Sequence, residues 1–96
     1  MAKGYWIATY RSVSNPDALA RYSARATPII EAHGGRILAR GMAVRAYEAA
    51  VAQRCVVIEF DSVAAAISAY ESPAYQEVIP ILEGAVEREI RIVEGT

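Results

Sequence analysis

The chain has 96 residues, 54% of them hydrophobic, and its 10 Lys and Arg nearly balance 11 Asp and Glu. That length supports one modest core and excludes a second folded unit, so residues 1–96 are read as a single domain. With charge balanced and no run of one sign, the electrostatic footprint of a nucleic-acid or anionic-membrane binder is absent, and neither is expected as a partner.

The single cysteine, Cys55, cannot form an internal disulfide; within an apolar strand pattern it reads as a small buried hydrophobe in a reducing compartment. One Cys and one His make no metal-ligand set, and no cofactor is expected. Met1-Ala2-Lys3-Gly4-Tyr5 runs straight into strand pattern without a signal-peptide segment, and no apolar run is long enough to cross a bilayer. The chain reads as soluble and cytoplasmic.

Tyr5 to Arg11 is rich in aromatic and β-branched residues and predicts the first strand, with Ser12 to Ser14 as its exit. Asn15-Pro16-Asp17 then starts a helix: Asn15 caps the free N–H groups, Pro16 fits the first turn, and Asp17 suits the positive end of the dipole. Leu19, Tyr22, Ala26, Ile29 or Ile30, and His33 recur at helical spacing as its inner stripe. Pro28 predicts a kink or a restart from Thr27. His33-Gly34-Gly35 predicts the stop, with His33 capping the last turn rather than acting in catalysis.

Arg36 to Gly41 predicts the second strand, which Ala43 to Glu48 extends or follows as a short arm, with a bulge or turn at Gly41. Ala49 to Gln53 reads as loop. Arg54 to Phe60 places Val56, Ile58 and Phe60 on one face and Cys55, Val57 and Glu59 on the other. Two largely apolar faces require cover on both sides and a central place in the sheet. Ser62 caps a short helix, Val63 to Tyr70, and Ser72-Pro73 repeats the device for a helix with Val78, Ile79, Leu82 and Val86 inward, weakened by Pro80 and Gly84. Glu89 to Glu94 predicts the last strand.

The order β-α-β, β-α-β is the ferredoxin-like α+β plan, with the Tyr5 and Arg54 strands central and the Arg36 and Glu89 strands outer. Two helical segments cover one face of a four-stranded antiparallel sheet. The opposite, apolar face predicts a homodimer, with total burial of ~1,600 Å² or more.

Five stretches carry a family resemblance: Gly4 to Ala8, His33 to Gly41, Val57 to Ser62, Tyr70 to Gln76, and Val93 to Gly95. In this order they resemble the small bacterial family called domain of unknown function thirteen-thirty, over nearly the whole chain. The resemblance implies a dimeric α+β barrel, a superfamily that includes cofactor-independent monooxygenases, small isomerases and proteins without assigned activity, so it implies shape more than chemistry. Members commonly carry Asp at the position of Asn15, Gly directly after that of Glu48, where this chain has Ala49, and Arg shortly after that of Pro80, where it has Leu82.

Strand parity alone puts Arg36, Leu38 and Arg40 on the same face as Cys55, Val57 and Glu59. Two arginines and a carboxylate there fit a polar anchor for a small acidic or enolic ligand, although such paired charges more often form an ion pair holding an interface. Tyr75 lies where its hydroxyl can point to a cleft mouth, or simply pack a helix. The expected ligand-binding set is Arg40, Glu59 and Tyr75, with Glu59 orienting the Arg40 guanidinium. No nucleophile with a base and no phosphate-binding glycine loop is present. Three functions fit: a cofactor-free enzyme on a small organic acid or quinone-like molecule, a non-catalytic metabolite-binding module, or a dimer that contacts another protein.

Overall fold

The computed structural model describes residues 2–96. Strands β1 (Gly4–Val13), β2 (Arg36–Met42), β3 (Arg54–Phe60) and β4 (Val86–Glu94) form one antiparallel sheet in the order β2-β3-β1-β4. Helices α1 (Pro16–Ala32), α2 (Val63–Glu71) and the short α3 (Pro73–Gln76) lie between them, with a single 3-10 turn at Ile79–Leu82. This is the ferredoxin-like α+β plan, with β1 and β3 central as expected.

Side chains cap each helix where the sequence predicts it. Asn15 Oδ1 accepts from the Ala18 N–H at 3.1 Å, Ser62 Oγ from Ala65 at 3.0 Å, and Ser72 Oγ from Tyr75 at 3.2 Å. His33 closes α1: its backbone N–H reaches the Ile29 carbonyl at 3.2 Å, and its Nδ1 lies 2.8 Å from the same oxygen. Pro28 neither ends nor restarts α1. It is exposed, so the Ala24 carbonyl it leaves without a donor is open to water.

The Ser72-capped segment departs from a continuous helix. It stops after Gln76, and Pro80, which has no N–H to donate, sits inside the tighter turn that follows. Val78 and Leu82 are still buried. Gly84, at φ +70°, then reverses the chain, and β4 begins at Val86, earlier than Glu89, because it pairs along β1 as far as Val13.

Residues 43–53 form an arm rather than a strand, closed at its base by the Ala43 N–H to the Gln53 carbonyl at 3.0 Å. The turn at its tip, from Tyr47 to Ala50, puts Glu48 in the left-handed region at φ 57°. Glu48→Gly is therefore expected to raise stability by about 1 kcal/mol or less in urea titration, since glycine adopts this conformation without steric cost. An unchanged or lower midpoint would contradict that assignment of strain.

The core lies between the helices and one sheet face. Trp6, Phe60, Tyr75 and Val78 are its largest fully enclosed side chains. Trp6 stacks on Phe60 at 6.2 Å between centroids and meets Tyr75 and Tyr70 edge-on at 5.0 and 5.4 Å. The chain measures 37 × 32 × 16 Å, the thickness of one helical layer on one sheet. Tyr5, Ile7, Cys55 and Val57 on the other face are only half-buried, and Leu38, Met42, Val44, Tyr47, Val51 and Val93 are exposed. No helix among the described residues is long and apolar enough to cross a membrane.

One irregularity positions the candidate site. Along β2 the register against β3 runs Arg36 with Glu59 and Ile37 with Ile58, then jumps to Ala39 with Val57 and Arg40 with Val56. The extra residue is Leu38, so the bulge falls there and not at Gly41. An inserted residue inverts the facing of everything beyond it. Arg36 stays on the open face with Glu59, while Arg40 moves to the helix side with Val56, correcting the expectation that Arg40 and Glu59 share a face.

Candidate functional site

Arginines stand in phase with apolar residues on the helix side of the sheet. On β3, Arg54 shares its face with Val56, Ile58 and Phe60; on β4, Arg88 shares its face with Ile90 and Ile92. Beside them β1 supplies Tyr10 and β2 supplies Arg40, while α1 contributes Tyr22 and Thr27 and the start of α3 contributes Tyr75.

Arg88 is the centre of the cluster. Its Nη1 donates to the hydroxyls of Tyr10 at 3.3 Å and Tyr22 at 3.2 Å, and its Nη2 to that of Tyr75 at 3.1 Å. The Tyr22 and Tyr75 hydroxyls are hydrogen-bonded to each other. The guanidinium carbons of Arg54 and Arg88 each lie 5.8 Å from the Tyr10 ring centroid, and that of Arg88 is 5.1 Å from the Tyr22 ring. The Arg54 Nε is buried without a hydrogen-bond partner.

A narrow cavity of about 30 Å³ runs between α1 and the sheet, walled by Trp6, Tyr10, Tyr22, Arg40, Arg54 and Arg88. Arg40 is exposed at its rim, where Nη1 donates to Thr27 Oγ1 at 3.1 Å. Arg88 also borders two wider hollows, one of about 370 Å³ beside Tyr70, Ile90 and Ile92, the other of about 570 Å³ beside Ile79, Leu82 and Val86.

Burial works against the charge of Arg88, but the oxygens of Tyr22 and Tyr75 outweigh it and hold the guanidinium above its ordinary value. Burial, then Tyr22, pushes the Tyr75 phenol well above the usual range, so it stays a neutral O–H. The centre thus presents a fixed cation among neutral hydroxyls.

A model described as Domain of unknown function (DUF1330) matches residues 3–96. The chain belongs to this family. No curated protein matches the DUF1330 chain. Solved structures resemble it in fold. A protein of unknown function from Rhodopseudomonas palustris has a TM-score of 0.73 at 19% identity, the match covering 99% of this chain and 83% of that one. A dimeric ferredoxin-like protein of unknown function from Thermobifida fusca has a TM-score of 0.65 at 14% identity, covering 96% and 90%. A NIPSNAP family protein of unknown function from Agrobacterium tumefaciens has a TM-score of 0.62 at 17% identity, covering 98% and 88%.

Of the residues singled out in the DUF1330 sequence, Arg40 and Tyr75 both reach the helix side, Arg40 at the rim of the cavity and Tyr75 inside the cluster. Tyr75 does not point to a cleft mouth; it is fully buried, with its hydroxyl on Tyr22 and Arg88. Glu59 is on the opposite face and does not orient Arg40. It accepts from Arg36 Nε at 3.0 Å and Tyr5 Oη at 2.9 Å, and Arg36 also reaches Asp61 at 3.1 Å.

The Arg36 hydrogen bond, then that of Tyr5, holds the Glu59 carboxyl below its ordinary value of 4.5. A depressed folded-state value favours folding above about pH 4.5, and this contribution disappears as the pH falls through the lowered value. Glu59→Gln should accordingly flatten the acid limb of the stability curve below about pH 5 while leaving its shape near neutrality unchanged. An acid limb as steep as that of the parent would contradict the assignment.

Sequence reading passed over Arg88, Arg54, Tyr10 and Tyr22. A signal was available for the two arginines: each is a charged residue in phase with the apolar face of a strand, in Arg54-Val56-Ile58-Phe60 and Arg88-Ile90-Ile92. The tyrosines carried none, because an inward tyrosine reads as packing until its hydroxyl's partner is known.

Proposed function

We propose that the protein is a homodimer joined through its open sheet face, each subunit binding a small organic acid between α1 and the sheet with Arg40 at the entrance. The observation that supports the ligand reading is charge. Among the described residues Arg40, Arg54 and Arg88 converge on one cavity, and no carboxylate forms a salt bridge with any of them. Arginines around an apolar wall suit an anionic ligand. The half-buried Tyr5, Ile7, Cys55 and Val57, flanked by exposed Leu38 and Val93, support the dimer reading, as does the dimeric Thermobifida fusca protein of similar fold.

Such a site serves binding, and its cofactor-free catalytic form is turnover of the bound acid or of a quinone-like molecule whose developing enolate oxygen the arginines stabilise. Thermal shift against a panel of small organic acids and quinones tests the ligand, and turnover of any hit separates enzyme from binding module. Arg40→Ala should reduce ligand-induced stabilisation by about 1.5–3 kcal/mol, the value of a charged hydrogen bond, and leave the sedimentation of the dimer unchanged. Dissociation of that variant, with no ligand found, would instead assign Arg40 to subunit contact.

A further inference from the structure

We infer that Arg88, together with the hydroxyls of Tyr10, Tyr22 and Tyr75, is the seat for the oxyanion of a carboxylate or enolate, approached past Arg40 along the inner cavity between α1 and the sheet. The inference rests on the small-molecule reading above and assigns the charged end of the ligand to a centre deeper than Arg40.

Donor and acceptor counting carries it. The three phenolic oxygens all accept from Arg88. Each hydroxyl also owns a proton, and the hydrogen bond between Tyr22 and Tyr75 uses one of the three. The other two O–H groups have no acceptor among the described residues. Buried donors of this kind are normally satisfied, and what would satisfy them here is an acceptor from outside.

Charge leads to the same ligand. Arg11, Arg36 and Arg91, on more exposed parts of the sheet, each have a carboxylate within 3.2 Å. Arg88 is surrounded by neutral hydroxyls, which solvate a cation but do not neutralise it, and Arg54 across the Tyr10 ring is unpaired at its buried Nε. A half-buried guanidinium without a counter-ion is costly, and a bound anion removes that cost.

Access and shape narrow the class. Tyr10, Tyr22 and Arg88 line the inner cavity that carries Arg40 at its rim, so a charged head entering past Arg40 meets the guanidinium and two of the three hydroxyls. Trp6, Ile30, Ile37, Val56 and Ile58 make the walls of that cavity apolar. The guanidinium fork and the phenols match a planar carboxylate or enolate on a small apolar body.

The test is titration of the full chain, labelled with 15N at arginine side chains, with benzoate, acetate, inorganic phosphate and a neutral quinone. Benzoate should bind more tightly than acetate or phosphate and should shift the Arg88 Nε–H resonance. Arg88→Lys should weaken benzoate by about tenfold or more because a lysine keeps the charge but loses the fork. Tyr75→Phe, which keeps the packing, should weaken it by several-fold. If either variant unfolds, the resonance shift in the unaltered chain decides. Benzoate that binds both variants normally, leaves Arg88 unshifted and is lost only in Arg40→Ala overturns the deeper seat and leaves the entrance reading intact. Tighter binding of phosphate overturns the class. Binding of the quinone alone overturns the oxyanion seat but keeps a small-molecule site, and binding of none of the four overturns both.

Discussion

Replacing Phe60 by Ala should destabilise the folded chain by about 3–5 kcal/mol, a large part of the 5–15 kcal/mol that holds a domain of ordinary stability together. Phe60 ends a central strand, is fully enclosed, and stacks on Trp6. Its ring also abuts the chain reversal after α1: a Cβ added at Gly35 would lie 2.9 Å from the ring's Cζ and 2.6 Å from the Ile30 side chain. Deleting the ring therefore opens a cavity bounded by backbone at Gly35 and by the Trp6 indole, neither of which can collapse into it cheaply. Phe60→Leu keeps most of the volume and should cost less than half as much. Paired urea titrations measure both, and a loss below about 1 kcal/mol for Phe60→Ala would show that the site relaxes.

An acidic residue at the middle of the open face should have the largest effect on assembly. Ile7 and Val57 are register partners on the two central strands, facing away from the helices and half-buried in a single chain. In the proposed dimer they lie deep between two sheets, where an unpaired carboxylate is costly. Val57→Asp is expected to weaken dimerisation by on the order of a thousandfold, about 4 kcal/mol at 1.4 kcal/mol per tenfold. The variant should sediment as a monomer at micromolar concentration with its far-ultraviolet circular dichroism retained, because the helix-side core does not include Val57. A variant that sediments like the parent would place the dimer contact elsewhere.

These two substitutions sit on opposite faces of β3, and the sequence discloses both faces through one alternation. Val56, Ile58 and Phe60 against Cys55, Val57 and Glu59 suffices to put the strand in the middle of the sheet, because a strand with two apolar faces cannot border water on either. The helix starts were legible for a similarly local reason. Asn15, Ser62 and Ser72 cap N–H groups only three residues away, so no distant partner had to be known. The Ser72 helix failed as a prediction because burial of Val78 and Leu82 is compatible with a broken helix as well as a continuous one, and Pro80 sits where the difference is decided.

By itself, the sequence determined the order of elements, the central strands, the caps and the family, all of which follow from local pattern or from motifs in order. Tertiary structure decided the site. The bulge at Leu38 depends on how β2 meets β3, and that one extra residue carries Arg40 from the face of Glu59 to the face of Trp6. The Arg88 centre gathers hydroxyls from β1, α1 and α3, with 66 and 78 residues between Arg88 and its partners Tyr22 and Tyr10. Parity along a strand is a local property that the chain writes in every second residue, whereas a donor's missing acceptor exists only after distant segments have packed.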